Sequence, residues 1–425
     1  MKIFFLFLSL AFLLFKPEAG FAAESGESKA STSASSNSLW PHKIKVGGEF
    51  RLRLESQFNY DFNSPVADSD TFFLLRTRVY VDVNPNEHLQ FFGMFQDSET
   101  LHQESALIKT PDRHKFYQGY VVIKDKKSLG LKIKLGRQEM VYGDQRLIGN
   151  NSWGNLGRSF DGGVFHIENE DFFVDAFGTR ISFNGENQFA GFYGGWKKLP
   201  GGVLEPYVLY LHNDQGGLNK GNLHLVTLGT RAVGKFKKNY DWGFEGAYQT
   251  GSSAGNWVSA FALHSRMGYT FPVSFKPRLG LEYNFASGDA NPTGGRVTTF
   301  NNLFPTNHDK YGYMDLFSWK NLHDLRGSFS TAPWSFLKTQ LDYHAFFLPD
   351  PANGQFLANG AQGRPGSPTA GHFAGQEIDL LLKFEPIKYF DAWVGYSVFF
   401  PGTFFKDTGG SDIAHFFYTQ LTARY

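Results

Sequence analysis

From Lys43 the chain alternates. Ile44, Val46, Gly48, Phe50, Leu52 and Leu54 interleave with Lys45, Gly47, Glu49, Arg51, Arg53 and Glu55. A period of two is the mark of a strand with one apolar and one charged face. The pattern returns at once: Phe73, Leu75, Thr77, Val79 and Val81 alternate with Arg76, Arg78, Tyr80 and Asp82. Eighteen such segments can be marked, over 43–58, 71–84, 87–98, 114–124, 129–140, 160–168, 171–182, 187–197, 202–212, 221–233, 238–250, 256–270, 274–287, 313–329, 333–347, 374–385, 389–400 and 413–425. Most have the nine or more residues that a tilted strand needs to cross a bilayer. The period is least clear over 114–124, 187–197 and 202–212. No window with a helical period competes.

The connections alternate too. Short ones (84–87, 124–129, 168–171, 197–202, 233–238, 385–389) take turns with ones that are often long (59–70, 99–113, 141–159, 287–312, 347–373, 400–412). Short turns on one rim and long loops on the other organise a barrel that crosses an outer membrane.

Alternation alone does not separate a membrane barrel from a soluble one, because the two differ only in which face meets water. Three observations decide. The polar faces are rich in Tyr, Gln and Asn as well as charge, as a wet lumen would be. Eighteen long strands make a poor sandwich, whereas closing them removes edges that lipid does not tolerate. The chain ends on alternating apolar residues and a terminal aromatic, Tyr425, which resembles the signal read by the barrel-assembly machinery. Aromatics near strand ends, among them Tyr60, Trp257, Tyr269 and Phe400, suit interfacial girdles.

Composition agrees. Phe 46, Tyr 19 and Gly 47 favour β-structure with many turns. Lys+Arg 41 against Asp+Glu 40 excludes bulk capture of nucleic acid. The absence of cysteine removes disulfides, thiolate metal sites and Cys nucleophiles.

The first residues read as an export signal. Lys2 precedes an apolar run, Ile3 to Phe15, which Lys16-Pro17 breaks before Ala19-Gly20-Phe21-Ala22-Ala23. That order is a signal peptide, placed at 1–22 with cleavage near Ala22 or Ala23, and the run is too short to span a bilayer. A Ser-rich stretch, 23–39, reads as a flexible leader. The barrel domain is then 40–425.

Few motifs suggest catalysis. Gly251-Ser252-Ser253-Ala254-Gly255 matches G-x-S-x-G, but a strand follows where a nucleophile elbow needs a helix, so it reads as a hairpin loop. The 13 histidines are scattered without metal-site spacing. Ser287-Gly288-Asp289 with Asn291 could bind a calcium ion, and reads more simply as a polar external loop. We expect no catalytic residues, no metal and no cofactor.

The informative feature is charge on the lumen face. Parity turns Lys45, Arg51, Arg53, Arg76, Arg78, Lys132, Lys134, Arg231, Arg266, Arg278, Arg326 and Arg424 inward, against Glu49, Glu55, Asp82, Asp241, Glu245, Glu282, Asp324, Glu377 and Asp379. The acids are fewer and fall mostly on later strands. Cross-strand pairing could neutralise many of these charges. As a set they favour anions over cations in a pore.

Two stretches are more specific. One is Gly136-Arg137-Gln138, Tyr142-Gly143-Asp144-Gln145-Arg146-Leu147-Ile148-Gly149, Trp153, Gly157-Arg158 and Phe160-Asp161-Gly162. The other is Tyr283-Asn284-Phe285-Ala286-Ser287-Gly288-Asp289, Phe300, Leu303-Phe304-Pro305, Tyr311-Gly312-Tyr313-Met314-Asp315 and Asn321-Leu322. Both resemble the alginate-export family of outer-membrane proteins, from about residue 43 to 425. The resemblance implies an eighteen-stranded monomeric barrel with a basic pore for an acidic polysaccharide, and it adds Arg137, Arg146 and Arg158 to the pore-lining candidates.

The expected fold is all-β: a transmembrane antiparallel β-barrel of about 18 strands, with short periplasmic turns and long extracellular loops. The expected function is a passive channel of a Gram-negative outer membrane, not an enzyme, with an anion-preferring lumen. Its expected partners are outer-membrane lipid and lipopolysaccharide, anionic polysaccharide or small anionic solutes, and the barrel-assembly machinery. The competing readings are a general or sugar-type porin without charge selectivity, and a barrel-anchored enzyme or adhesin.

Overall fold

The computed structural model describes residues 44–63, 69–103, 113–125, 130–182, 187–214, 216 and 221–425. The signal peptide and Ser-rich leader lie outside the described residues. Among the described residues, eighteen strands form the wall: β1 Ile44–Phe58, β2 Asp70–Val83, β3 Leu89–Leu101, β4 Arg113–Asp125, β5 Leu131–Gln138, β6 Phe160–Glu168, β7 Phe172–Ile181, β8 Asn187–Trp196, β9 Gly202–Asn213, β10 Leu223–Phe236, β11 Tyr240–Ser253, β12 Asn256–Thr270, β13 Arg278–Ala286, β14 Leu322–Trp334, β15 Leu337–Phe347, β16 Phe373–Ile387, β17 Phe390–Pro401 and β18 Ala414–Arg424. Each pairs antiparallel with the next. β1 also pairs with β18, from Glu49 opposite Arg424 to Phe58 opposite His415, so the sheet closes.

Closure explains the alternation. Phe192, Met267, Leu279 and Leu281 point out of the barrel and are each more than half exposed. A soluble protein would hide such side chains; here they form the face that lipid covers. Their strand neighbours point inward and are mostly polar towards the rim of short turns.

Towards the other rim the lumen is filled. Phe189, Leu209, Leu225, Val258, Phe346 and Phe399 on the inner wall pack with Phe300, Phe304, Phe317 and Trp319 from the connection 287–321. The strands bearing Phe189, Leu209 and Leu211 are therefore apolar on both faces, which is why their period of two is faint.

Two connections enter the lumen instead of projecting outward: 139–159 and much of 287–321. They pair with each other, Gly149 N–H donating to Phe304 O at 2.8 Å and Phe304 N–H to Leu147 O at 2.9 Å. Each has a glycine with positive φ where the backbone meets the wall. At Gly143 (φ +53) a Cβ would lie 2.8 Å from Arg231 Cδ, and at Gly312 (φ +87) 2.6 Å from the Glu377 carboxylate. Glu377 also accepts the Met314 N–H at 2.9 Å.

This corrects the sequence reading in three places, the first being 141–159, expected as an external loop and found inside the lumen. Residues 313–321 are part of the inward connection, and β14 begins at Leu322. Tyr313, Met314, Leu316, Phe317 and Trp319 are all buried, so no face alternates with another. The stretch 287–312 is likewise not wholly an external loop. Elsewhere the G-x-S-x-G match lies at a hairpin between β11 and β12. Asp289 accepts the Asn291 and Thr298 amides, a turn held by its own carboxylate.

Candidate functional site

The inward connection 139–159 lies against β1 to β3 and is held there by arginines. Arg51 donates to Ser152 O at 3.0 Å and to Asn155 Oδ1 at 3.1 Å. Arg76 donates to the carbonyls of Ser152 and Gly154 at 3.1 and 3.2 Å. Arg53 donates to Trp153 O at 2.8 Å. Asn155 returns two hydrogen bonds, to Leu75 O and Glu99 O. Five guanidinium donors presented by a rigid fork suit this task, because each can serve several carbonyls at once.

Deeper along the same connection, Arg146 pairs with Glu282 at 2.7 Å and donates to the Tyr311 hydroxyl at 2.9 Å. Asp144 takes Arg231 at 2.5 Å and Arg266 at 3.6 Å. Burial by itself would raise the Asp144 pKa, but Arg266, Arg231 and Arg146 outweigh it and hold this carboxyl below the usual range. Arg158 donates to Gly149 O and Pro305 O, tying the two inward connections together.

The other candidates sit on the wall. Arg137 meets Asp161 through two parallel hydrogen bonds of 2.7 and 3.0 Å, and Arg278 meets Asp241 likewise at 2.8 and 2.6 Å. Lys132 lies 3.6 Å from Glu168. Lys134 sits over the Tyr120 ring at 3.9 Å. Arg326 pairs with Asp342 at 2.7 Å. The acids of the later strands gather there, with His344 bonded to Asp324 at 2.9 Å.

Two cavities flank the inward connections. The one towards the long-loop rim is lined by Arg53, Glu55, Tyr60, Asn155, Arg158 and Asp315, among others. The one towards the short turns is lined by Arg51, Arg76, Arg78, Lys310, Lys383 and Arg424, with Glu49 and Asp309 as its carboxylates. Trp153, His308 and Tyr313 line both. The sequence-predicted arginines of β1 and β2 thus meet around one space, but Arg51, Arg53 and Arg76 are buried there beneath the connection. Lys383, Lys310 and the Trp153–His308 junction were missed. Lys383 follows the inward parity of Glu377 and Asp379, so that one was within reach. The other two lie on connections, where parity has no meaning.

Comparison with known proteins places this geometry. The sequence matches the alginate export family over residues 42–419. No curated protein matches it. Among solved structures, OccK11 (OpdR) of Pseudomonas aeruginosa superposes with a TM-score of 0.62 at 10% identity, over 90% of this chain and 95% of that one. OccAB1 of Acinetobacter baumannii gives 0.61 at 11% identity, over 90% and 96%. The outer membrane protein OprD of Pseudomonas aeruginosa gives 0.59 at 10% identity, over 90% and 93%. At such identities the likeness is one of fold. With the family match over nearly its whole length and a closed eighteen-stranded wall, the chain belongs to the alginate export family and is an outer-membrane channel.

Proposed function

We propose that this channel favours anions, and that it carries an acidic polysaccharide of the kind its family is named for or smaller anionic solutes. The observation that carries the reading is the cavity on the short-turn side, where six cationic side chains face two carboxylates. Glu49 is shared by Arg76 and Arg424, Arg424 pairs with Asp391 as well, and Asp309 takes Lys310. Arg51, Arg78 and Lys383 have no carboxylate within ion-pair distance among the described residues. Arg78 instead donates to Gln96 at 2.7 Å, and Lys383 sits 4.0 Å above the Trp393 ring. Unpaired positive charge in a low-dielectric wall concentrates a field that attracts anions.

A neutral-sugar porin would present open aromatic faces. Here Trp393 is covered by Lys383, and Trp153 is covered by Arg53 on one side and His308 on the other.

Reversal potentials in planar bilayers under a salt gradient test the reading. Wild type should pass anions preferentially, less so at high salt as the field is screened. Arg78→Gln with Lys383→Gln should lower that preference while leaving the carbonyl-holding Arg51, Arg53 and Arg76 in place. Equal reversal potentials for wild type and variant at low salt would sink the proposal, and the absence of any conductance would favour an anchored enzyme or adhesin.

A further inference from the structure

The lipid-facing side of the wall carries a pattern that a pore does not require. His224 is the second residue of β10, His323 the second of β14 and His415 the second of β18. Each begins a strand at the long-loop rim, and these strands stand four apart around the barrel. Each ring points outward, by the parity of exposed Leu228, Leu325 and Leu421. Each meets a tyrosine of the preceding strand: Tyr210 with His224 at 3.0 Å, Tyr283 with His323 at 2.7 Å and Tyr396 with His415 at 2.8 Å, always through Nδ1.

The repetition has a chemical consequence. A phenol is a stronger donor than an imidazole N–H, and an imidazole nitrogen a stronger acceptor than a phenol oxygen, so the favoured pairing has the tyrosine hydroxyl donating to Nδ1 and the ring hydrogen on Nε2. The ring is then an aimed donor, held by a tyrosine on the outer face of the wall. Around the first pair, His212 stacks on His224 with ring centroids 4.4 Å apart, and Asp214 takes His212 Nε2 at 3.1 Å. Around the second, Phe347, Pro349 and His372 close a shallow cavity against Tyr283 and His323.

What lies against this face is set by the fold. Above the apolar belt, the outer wall of the barrel meets the headgroups of the outer leaflet. Amphipathic rings alone would serve an interface of any composition. A donor repeated three times at the long-loop ends of strands calls for an acceptor there, and phosphate is the strongest acceptor such headgroups offer. The short-turn rim is built differently, with Lys197, Lys198, Lys237, Lys276, Lys338 and Lys388 at or beside its turns. We propose that the three Tyr–His pairs form a docking girdle for the phosphate groups of lipopolysaccharide in the outer leaflet.

The test uses the full chain, folded in neutral detergent and incubated with bisphosphorylated lipid A or with the same lipid enzymatically dephosphorylated. Wild type should retain the phosphorylated lipid about tenfold better, the scale of one hydrogen bond to a charged group. His224→Phe, His323→Phe and His415→Phe together keep the rings and remove the donors, so retention should fall to that of the dephosphorylated lipid while heat-modifiable migration is unchanged. Equal retention of both lipids by wild type overturns the proposal without any variant. So does a folded triple variant that keeps the full preference. If the triple variant does not fold, Tyr210→Phe, Tyr283→Phe and Tyr396→Phe free the rings instead, and an undiminished preference in that protein is equally fatal.

Discussion

The Trp153 indole lies flat on the His308 imidazole, with 3.6 Å between ring centroids and 5° between the planes. Arg53 covers the opposite face of the indole, its Cζ 3.6 Å from the ring centroid, and also takes the Trp153 carbonyl. His308 is held in turn by Asp315 at 3.1 Å. The two stacked residues come from different inward connections and line both cavities. Their contact therefore stands between the two halves of the lumen.

Removing the indole should widen that passage. Trp153→Ala deletes both the stack and the cation–π contact, at a cost of about 3 kcal/mol in barrel stability. Single-channel conductance should rise, and the increase should be largest for bulky anions. Unchanged conductance in a folded variant would mean that solute takes another route.

Arg146 tests whether the connection is pinned from within. Arg146→Met leaves the buried Glu282 carboxylate without its main partner, which costs about 3–5 kcal/mol. Pairing it with Glu282→Gln should restore a large part of the loss, since the uncompensated charge is gone. Thermal unfolding followed by heat-modifiable migration measures both, and a double variant as unstable as the single one would assign the loss to packing.

Gly312 makes a sharper geometric claim. A methyl group there would meet the Glu377 carboxylate at 2.6 Å, and φ of +87 disfavours any side chain. Gly312→Ala should cost about 1–3 kcal/mol and loosen the Met314 contact with Glu377. Thermal unfolding followed by heat-modifiable migration should show that loss, and a variant as stable as wild type would mean that the connection does not depend on this contact.

The wall was readable in the sequence because lipid and lumen impose opposite polarity on neighbouring residues. Val79 and Val81 against Arg76 and Arg78 needed no partner strand to interpret. The filled half of the lumen was harder to read for the same reason: where Phe317 and Trp319 press on Phe346 and Phe399, both faces of a strand are dry, and alternation fades. Residues 313–321 then resemble a strand because Tyr313, Met314, Leu316, Phe317 and Trp319 give the run enough large apolar residues to pass for one. The partners of the arginines were beyond reach. Arg51 meets Ser152 across 101 positions and Arg146 meets Glu282 across 136, distances that only the folded connections bridge.

Asp144 yields the pH prediction. Arg231 and Arg266 hold its carboxyl below the ordinary range despite burial, and the group lies on the inward connection. A depressed folded pKa means that the unfolded chain binds the proton first as acid is added. The stabilisation from ionised Asp144 is thus fully present above the unfolded value, about 3.9, and is lost as pH falls through the lower folded value. Asp144→Asn should therefore be less stable than wild type at pH 7, by more than a surface pair would give, because Arg266 loses its carboxylate and Arg231 keeps only Glu205. The gap should stay constant down to about pH 4 and close below it, where wild type becomes protonated too. Unfolding temperatures of both proteins across pH 2 to 7 decide the matter: a gap that persists unchanged at the acid end would show that the carboxylate charge is not what holds the connection in place.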